Sequence, residues 1–306
     1  MNKLLETIAV KKAKLGKLLI NKSNRQSLNN WLKTELAYTS NAIEGNTLTR
    51  KETELAIVED ITGGSKPIKD YIEAKNHAAA YEFILDAIDN GVSVDENLVL
   101  ALHKRILTGI DNENAGLYRN VRVRIAGSNV ILPNYMKVPE LMSEFNKWLK
   151  TNESDAVHKS IDAHFRLVSI HPFIDGNGRT GRLLMNIILM KSGYAPIIIR
   201  KIDRRRYLAV LEKYQTTGDG SGYEKFMLGA LSRSLSMAID LLDKDTVDPR
   251  KMLTIAKFAN LANLPVSTIR YWVNENKLKP AGYTASGYML FDKSQLNDLD
   301  ILKTSK

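Results

Sequence analysis

Apolar residues recur at three- and four-residue intervals along most of this chain, which predicts helices over 69–90, 139–150, 156–170, 181–193 and 203–215. The first of these runs out at Asn90-Gly91, a pair suited to ending a helix. The period changes at Arg122–Leu132, where β-branched and polar residues alternate about Ala126-Gly127-Ser128-Asn129, and this predicts a β-hairpin. Two strands alone make no stable sheet, so the hairpin must rest on helices, and its edge could receive an extended peptide. A polar linker carrying Pro249 is expected at Asp243–Arg250. After it, helices are predicted over Thr254–Asn263 and Ser267–Asn274, separated by Leu264-Pro265, with a further hairpin at Gly282–Phe291.

The 306 residues are 44% apolar and contain no cysteine, which suits a globular protein of about two domains and excludes disulfides, thiolate metal sites and a cysteine nucleophile. No apolar run reaches the ~20 residues of a membrane span, and the Lys-interleaved N-terminus is no secretory signal, so a cytoplasmic protein is expected. The net charge of +10 is unevenly spread: residues 1–33 hold eight basic and one acidic, and residues 250–306 nine basic and four acidic. The stretch between is slightly negative. Such segregation points to an acidic partner for the two ends, nucleic acid or another polyanion, although residues 1–33 equally suit a solvated helix face.

The segment His171-Pro-Phe-Ile-Asp-Gly-Asn-Gly-Arg-Thr-Gly-Arg182 concentrates the chemistry. Pro172 stops the preceding helix, and Gly176-Asn177-Gly178 tolerates the backbone angles that turn successive N–H groups toward one point. A helix follows at once, with its positive end on that loop and Arg179 and Arg182 in its first turns. This is an anion cradle suited to a polyphosphate. Asp175 beside it is out of place unless a divalent cation such as Mg²⁺ stands between carboxylate and phosphates. His171 is the one group here able to take a proton near neutral pH, and Thr180 has no paired base, so the nucleophile should come from a second substrate.

HPFIDGNGRTGR resembles the signature of the Fic family, HxFx(D/E)GNGRxxR, at every fixed position; Gly116-Leu-Tyr-Arg119 and His164 resemble further family elements over roughly residues 35–240. The resemblance implies a mainly α fold: a Fic-type helical bundle with a small β-hairpin flap. It implies an N-terminal helical region over 1–110 and a catalytic core over 111–245, and AMP transfer from ATP to a Tyr, Thr or Ser hydroxyl of a target protein. By the same resemblance His171 is the general base and Asp175 holds Mg²⁺ on the α- and β-phosphates. ATP is then bound by Gly176, Asn177, Gly178, Arg179, Thr180, Gly181 and Arg182, with Phe173 as a core anchor. The flap aligns the target, Gly127, Ser128, Asn129 and Val130 also touch nucleotide, and Tyr207 lies near the adenine. Gly178 stands where the phosphate-transferring branch has Lys, which favours adenylylation and leaves phosphocholine transfer open as a rarer variant. Self-modification is the first product to expect.

Upstream, Ser40 and Glu44 lie four apart on one helix face, and Gly45-Asn46 can end that helix. The stretch resembles the family's inhibitory motif, (S/T)xxxE(G/N), which implies an inhibitory helix around 35–46 whose Glu44 competes for Arg182, a second role for Glu44 in removing AMP, and pairing of two copies that hides or frees the helix. Residues 254–296 have helix-turn-helix spacing and resemble the MerR-like winged helix, giving a winged domain over 246–306. DNA contact and protein contact both stay open for it. The competing reading of the whole chain is a DNA-binding regulator that uses the nucleotide site as an ATP sensor.

Overall fold

The computed structural model describes residues 2–59, 65–243, 252–275, 277–284, 287–296 and 299. It divides into two compact units, Met1–Ile239 and Asp240–Lys306. The boundary expected between 110 and 111 falls inside the first unit, and the one expected at 245–246, with most of the anticipated linker, lies outside the described residues.

The first unit is helical. Its elements are α1 (Asn2–Leu18), α2 (Lys22–Ile43), α3 (Arg50–Val58), α4 (Ile68–Asp89), α5 (Glu96–Leu107), α6 (Val138–Thr151), α7 (Ala156–Ile170), α8 (Asn177–Lys191), α9 (Arg204–Thr217) and α10 (Ser221–Leu242), whose last three residues pass the boundary. The five helices predicted by apolar spacing are α4, α6, α7, α8 and α9. Helix α8 is the axis of the unit: 12 of its 15 residues are buried, from Asn177 round to Leu189, so it is covered on every side. Helices α7, α5 and α4 pack along it, and α2 lies on α4 and reaches α8. The core between them holds Leu102, Ile106, Phe145, Leu167, Phe173, Leu184 and Ile187. Local signals set the helix ends. Asp95 caps α5 through Leu98 N–H, Asp155 caps α7, and Thr49 with Glu52 closes a capping box on α3.

The hairpin expected at Arg122–Leu132 is not formed as paired strands. The segment is extended on both sides of a turn at Gly127 (φ 73°), where Ser128 N–H meets Ile125 C=O, with no strand ladder. Its tip is held instead by Glu212 of α9, which accepts from Asn129 N–H at 2.8 Å and Ser128 Oγ at 3.1 Å. The alternation was read correctly as extended chain, but tertiary anchors take the place of cross-strand bonds.

The second unit is a small winged arrangement. Strand β1 (Leu253–Thr254) leads into α11 (Ile255–Leu261), a turn with Asn263 left-handed, and α12 (Val266–Asn274). Strands β2 (Gly282–Tyr283) and β3 (Met289–Phe291) complete an antiparallel sheet of order β1-β3-β2, with Leu253 opposite Phe291 and Tyr283 opposite Met289. Phe258 stacks on Phe291 at 4.5 Å, and Ile269, Trp272 and Leu278 close the core. The predicted second hairpin is β2–β3, whose turn includes 285–286, outside the described residues.

Three imidazoles are buried in the first unit. Desolvation pushes His77 down to about 3, His103 to about 4 and His164 to about 3, with the charge of Arg182 adding to the effect on His77 and His164. Below their ordinary value of 6.5 the unfolded chain binds protons that the fold refuses, so each costs up to about 1.4 kcal/mol of stability per pH unit. His158 opposes this: burial disfavours its charge, but Asp155 and Glu224 outweigh burial and raise its pKa. The melting temperature followed by circular dichroism should therefore fall between about pH 7 and about pH 5. A flat or rising value would mean that the three imidazoles are not held neutral.

Candidate functional site

The site is built around the joint between α7 and α8. Helix α7 ends at His171, whose backbone is left-handed (φ 53°, ψ 57°) while its N–H still reaches Leu167 C=O. That conformation is disfavoured for a residue with a Cβ, and it swings the imidazole out of the helix line. Nδ1 lies 3.3 Å from Val168 C=O. A carbonyl only accepts, so Nδ1 carries the hydrogen and Nε2 keeps its lone pair for an incoming proton. Burial moves the His171 pKa below its ordinary value; the Val168 bond, Glu44 and Asp175 oppose the shift, and Arg119 adds to it.

The loop then closes on itself. Asn177 Oδ1 accepts from Phe173 N–H and its Nδ2 donates to Phe173 C=O, both at 2.9 Å. Phe173 is fully buried against the His103 ring, with centroids 3.6 Å apart. His103 Nε2 donates to Asp175 C=O at 3.0 Å and Nδ1 accepts from Gly116 N–H at 2.9 Å, so α5 holds the loop from outside. Gly176 is left-handed (φ 77°), and a Cβ there would press on the His103 ring. Helix α8 starts at Asn177, and its first intrahelical bond is Thr180 N–H to Gly176 C=O. The N–H groups of Asn177, Gly178 and Arg179 therefore precede the helix ladder at its positive end, a ready anion site.

Arg182 lies one turn on, 5% exposed. Its Nε donates to Ser40 Oγ at 2.9 Å, and Nη2 donates to Ser40 C=O at 3.0 Å and to Glu44 Oε1 at 2.6 Å. Burial opposes its charge, but Glu44 and the Tyr207 hydroxyl together outweigh burial and raise its pKa. Ser40 sits in the last turns of α2, and Glu44 is that helix's C-cap, followed by Gly45 at φ 103°. Arg204, at the start of α9, donates to Ile43 C=O and so holds the same helix end. Gly178 has a steric role in this contact: a Cβ on it would run into Glu44 Oε1.

The geometry gives protein partners to several residues expected to bind nucleotide. Arg179 is turned into the core, where Nη1 bonds Glu73 Oε1 at 3.0 Å and Nη2 bonds Asp175 Oδ2 at 3.1 Å. Tyr207 is buried with its hydroxyl on His164 Nε2 at 2.9 Å and its ring against Phe226; it belongs to the packing beneath Arg182. The Asn177 side chain likewise serves the loop, leaving its backbone N–H for an anion. Gly127, Ser128, Asn129 and Val130 form the tip tied to Glu212. Thr180 and Gly181 are buried in α8, and Gly181 packs on Val168 and His164.

Asp175 projects from the loop with its side chain 55% exposed. Among the described residues no three His, Cys, Asp or Glu side chains gather as metal ligands. A lone carboxylate beside an anion site still fits Mg²⁺, which keeps its waters and binds through one or two carboxylates plus substrate phosphates. The partners that sequence reading missed are His103, Glu73 and Glu212, none of which lies within 25 residues of the loop. Only the fold could have found them.

Comparison with known proteins agrees with this geometry. Residues 93–189 match the Fic/DOC family model, and residues 254–291 match that of the MerR family regulatory proteins. The protein adenylyltransferases Fic of Drosophila grimshawi and Drosophila yakuba are each 34% identical over 203 residues, 65% of this chain. The match covers 41% and 40% of those relatives, so the chain spans about two-fifths of their length. Among solved structures, a Fic domain containing signaling protein from Bacteroides thetaiotaomicron superposes with a TM-score of 0.69 at 28% identity, covering 78% of this chain and 97% of that one. A Fic-1 fragment from C. elegans gives 0.69 at 26% identity, covering 78% and 71%. The chain therefore carries a Fic/DOC-family domain and, at 254–291, a MerR-like segment.

Proposed function

We propose that this chain is a protein adenylyltransferase that moves AMP from ATP to a Tyr, Thr or Ser hydroxyl of a target protein, itself included. One observation carries the reading: a His with a free Nε2 stands at the positive end of a buried helix whose first N–H groups face an anion loop. The names of the Drosophila relatives support it. The target oxygen attacks the α-phosphorus, the bond to the α–β bridging oxygen breaks, and pyrophosphate leaves. His171 Nε2 takes the hydroxyl proton. The N–H groups of Asn177 and Gly178 hold phosphate oxygens, and Arg182, once free of Glu44, takes the γ-phosphate. Asp175, steadied by Arg179, would hold Mg²⁺, which when bound neutralises phosphate charge. Catalysis then rests on positioning and charge neutralisation. A compartment that supplies ATP, the cytoplasm, belongs to this reading, and Glu44 is its brake.

The second unit favours a separate role. Ser267, Arg270, Tyr271 and Asn274 lie along one exposed face of α12, a set suited to DNA, and two copies would be needed to read paired half-sites. A regulator using the Fic site as an ATP sensor is the competing reading of the whole.

ATP labelled at the α- or γ-phosphate separates these. Glu44→Gly should raise transfer of α-label to protein by about tenfold or more, since a charged hydrogen bond of about 1.5–3 kcal/mol is lost from Arg182. His171→Ala should abolish it. Equal activity with and without Glu44 at saturating Mg·ATP removes the brake, label from the γ-position alone indicates kinase chemistry, and nucleotide binding without label favours the sensor. The rate should fall as pH drops through the His171 pKa, with the midpoint of the acid limb below 6.5. For α12, binding of the full chain to a mixed-sequence duplex should weaken as salt rises, and Arg270→Ala should weaken it further. Absence of binding at low salt removes DNA contact from that face.

A further inference from the structure

Arg119 is 3% exposed and makes no ion pair among the described residues. Its guanidinium is satisfied by three backbone carbonyls: Nε donates to His171 C=O at 2.8 Å, Nη2 to Pro133 C=O at 2.7 Å and Nη1 to Val121 C=O at 3.2 Å. Its own N–H donates to Pro172 C=O at 2.8 Å. Burying a cation against carbonyls alone is expensive, and burial draws its pKa down. The arrangement is worth that cost only if the groups it joins must stay in register.

Those groups are informative. His171 C=O and Pro172 C=O follow the left-handed residue that swings the imidazole outward, so Arg119 grips the backbone on the strained side of the base. Val121 and Pro133 are the two ends of the extended 122–132 segment, whose tip is tied separately to Glu212. The neighbours of Arg119 root the clasp in α5: Tyr118 Oη donates to Glu96 at 2.6 Å, and Gly116 N–H donates to His103. Three acceptors in different directions match the planar five-donor fork of Arg, whereas the ammonium of Lys is a point charge on a flexible stem.

We propose that Arg119 is a positioning residue that locks the His171 backbone and both feet of the 122–132 segment into one unit, so that a hydroxyl on a chain lying along that segment arrives at Nε2. The proposal rests on the adenylyl-transfer reading. It extends that reading by joining target alignment and base alignment in a single side chain.

The test uses the full chain with Glu44→Gly, adding Arg119→Lys or Arg119→Gln, with self-modification from α-labelled ATP as the assay. Both variants should keep the KM for ATP within about twofold while kcat falls about tenfold in Lys and about 30-fold or more in Gln. A second readout separates charge from geometry. The groups facing His171 are Arg119, Asp175, the Val168 carbonyl and, where present, Glu44. Arg119→Gln removes a positive charge and should raise the midpoint of the acid limb and of the His171 imidazole titration followed by NMR, whereas Arg119→Lys should leave both in place. A kcat within about threefold of the parent in both variants, or a loss carried by the KM for ATP alone, overturns the proposal. If Glu44→Gly transfers no α-label, the adenylyl reading falls, and an unchanged His171 titration in Arg119→Gln then overturns the clasp as well. Should the Gln variant fail to fold, the kcat of the Lys variant decides.

Discussion

A guanidinium taken almost wholly out of water must be given acceptors, and Arg182 takes Ser40 Oγ, Ser40 C=O and Glu44 Oε1 from the end of α2. Much else in the first unit follows from that demand. Helix α2 must end where its last turn meets α8, and Gly178 must lack a side chain for Glu44 to come close. Arg204 holds Ile43 C=O at that helix end, a cation where the helix dipole favours one. The Glu44 side chain is 38% exposed, so Arg182 is buried on its protein side while its acidic partner looks outward. A triphosphate tail is the other ligand that could satisfy the same cation, and competition between the two is the physical content of the proposed brake.

The imidazoles divide into the one proposed to take a proton and others that hold the fold together. His77, His103 and His164 are held neutral by burial, and two of them carry the architecture: His103 joins α5 to the loop carbonyl, and His164 bridges the Tyr207 and Tyr223 hydroxyls beneath Arg182. His171 is also shifted downward by burial, but it alone ends a helix in a left-handed turn with Nε2 uncommitted. A neutral, accessible ring nitrogen at the mouth of an anion site is what a proton acceptor near neutral pH requires. The surrounding bonds use side chains on backbone groups wherever the loop would otherwise be free to move, as with Asn177 on Phe173 and Arg119 on His171.

Much of the fold could be read from the order of residues. Helices α4, α6, α7 and α9 appear where apolar spacing predicts them, because a buried stripe at the helical period has one way to be covered, and α8 appears there too although it is buried all round. The two helices of the second unit follow for the same reason, with Pro265 marking the start of α12. The hairpin did not follow, since alternation specifies extended chain and leaves open what the chain bonds to. Glu212 and Arg119 supply those partners here, from 83 and 14 residues away.

The order of residues by itself determined the loop. His171, Asp175 and Gly176 to Arg182 are contiguous, and a stop, a left-handed glycine and a helix start are local events set by neighbouring backbone. It also supplied the pairing of Glu44 with Arg182, through a spacing that resembles a known motif. The tertiary structure decided how two nearby arginines are partnered. Arg179 and Arg182 are alike in sequence, but three residues turn a helix by most of a revolution, so one meets α4 and Glu73 while the other meets α2 and Ser40. It likewise buried Tyr207 and put Arg119 on the His171 carbonyl. A side chain's partners depend on which helices pack against its face, and packing is a property of the whole core.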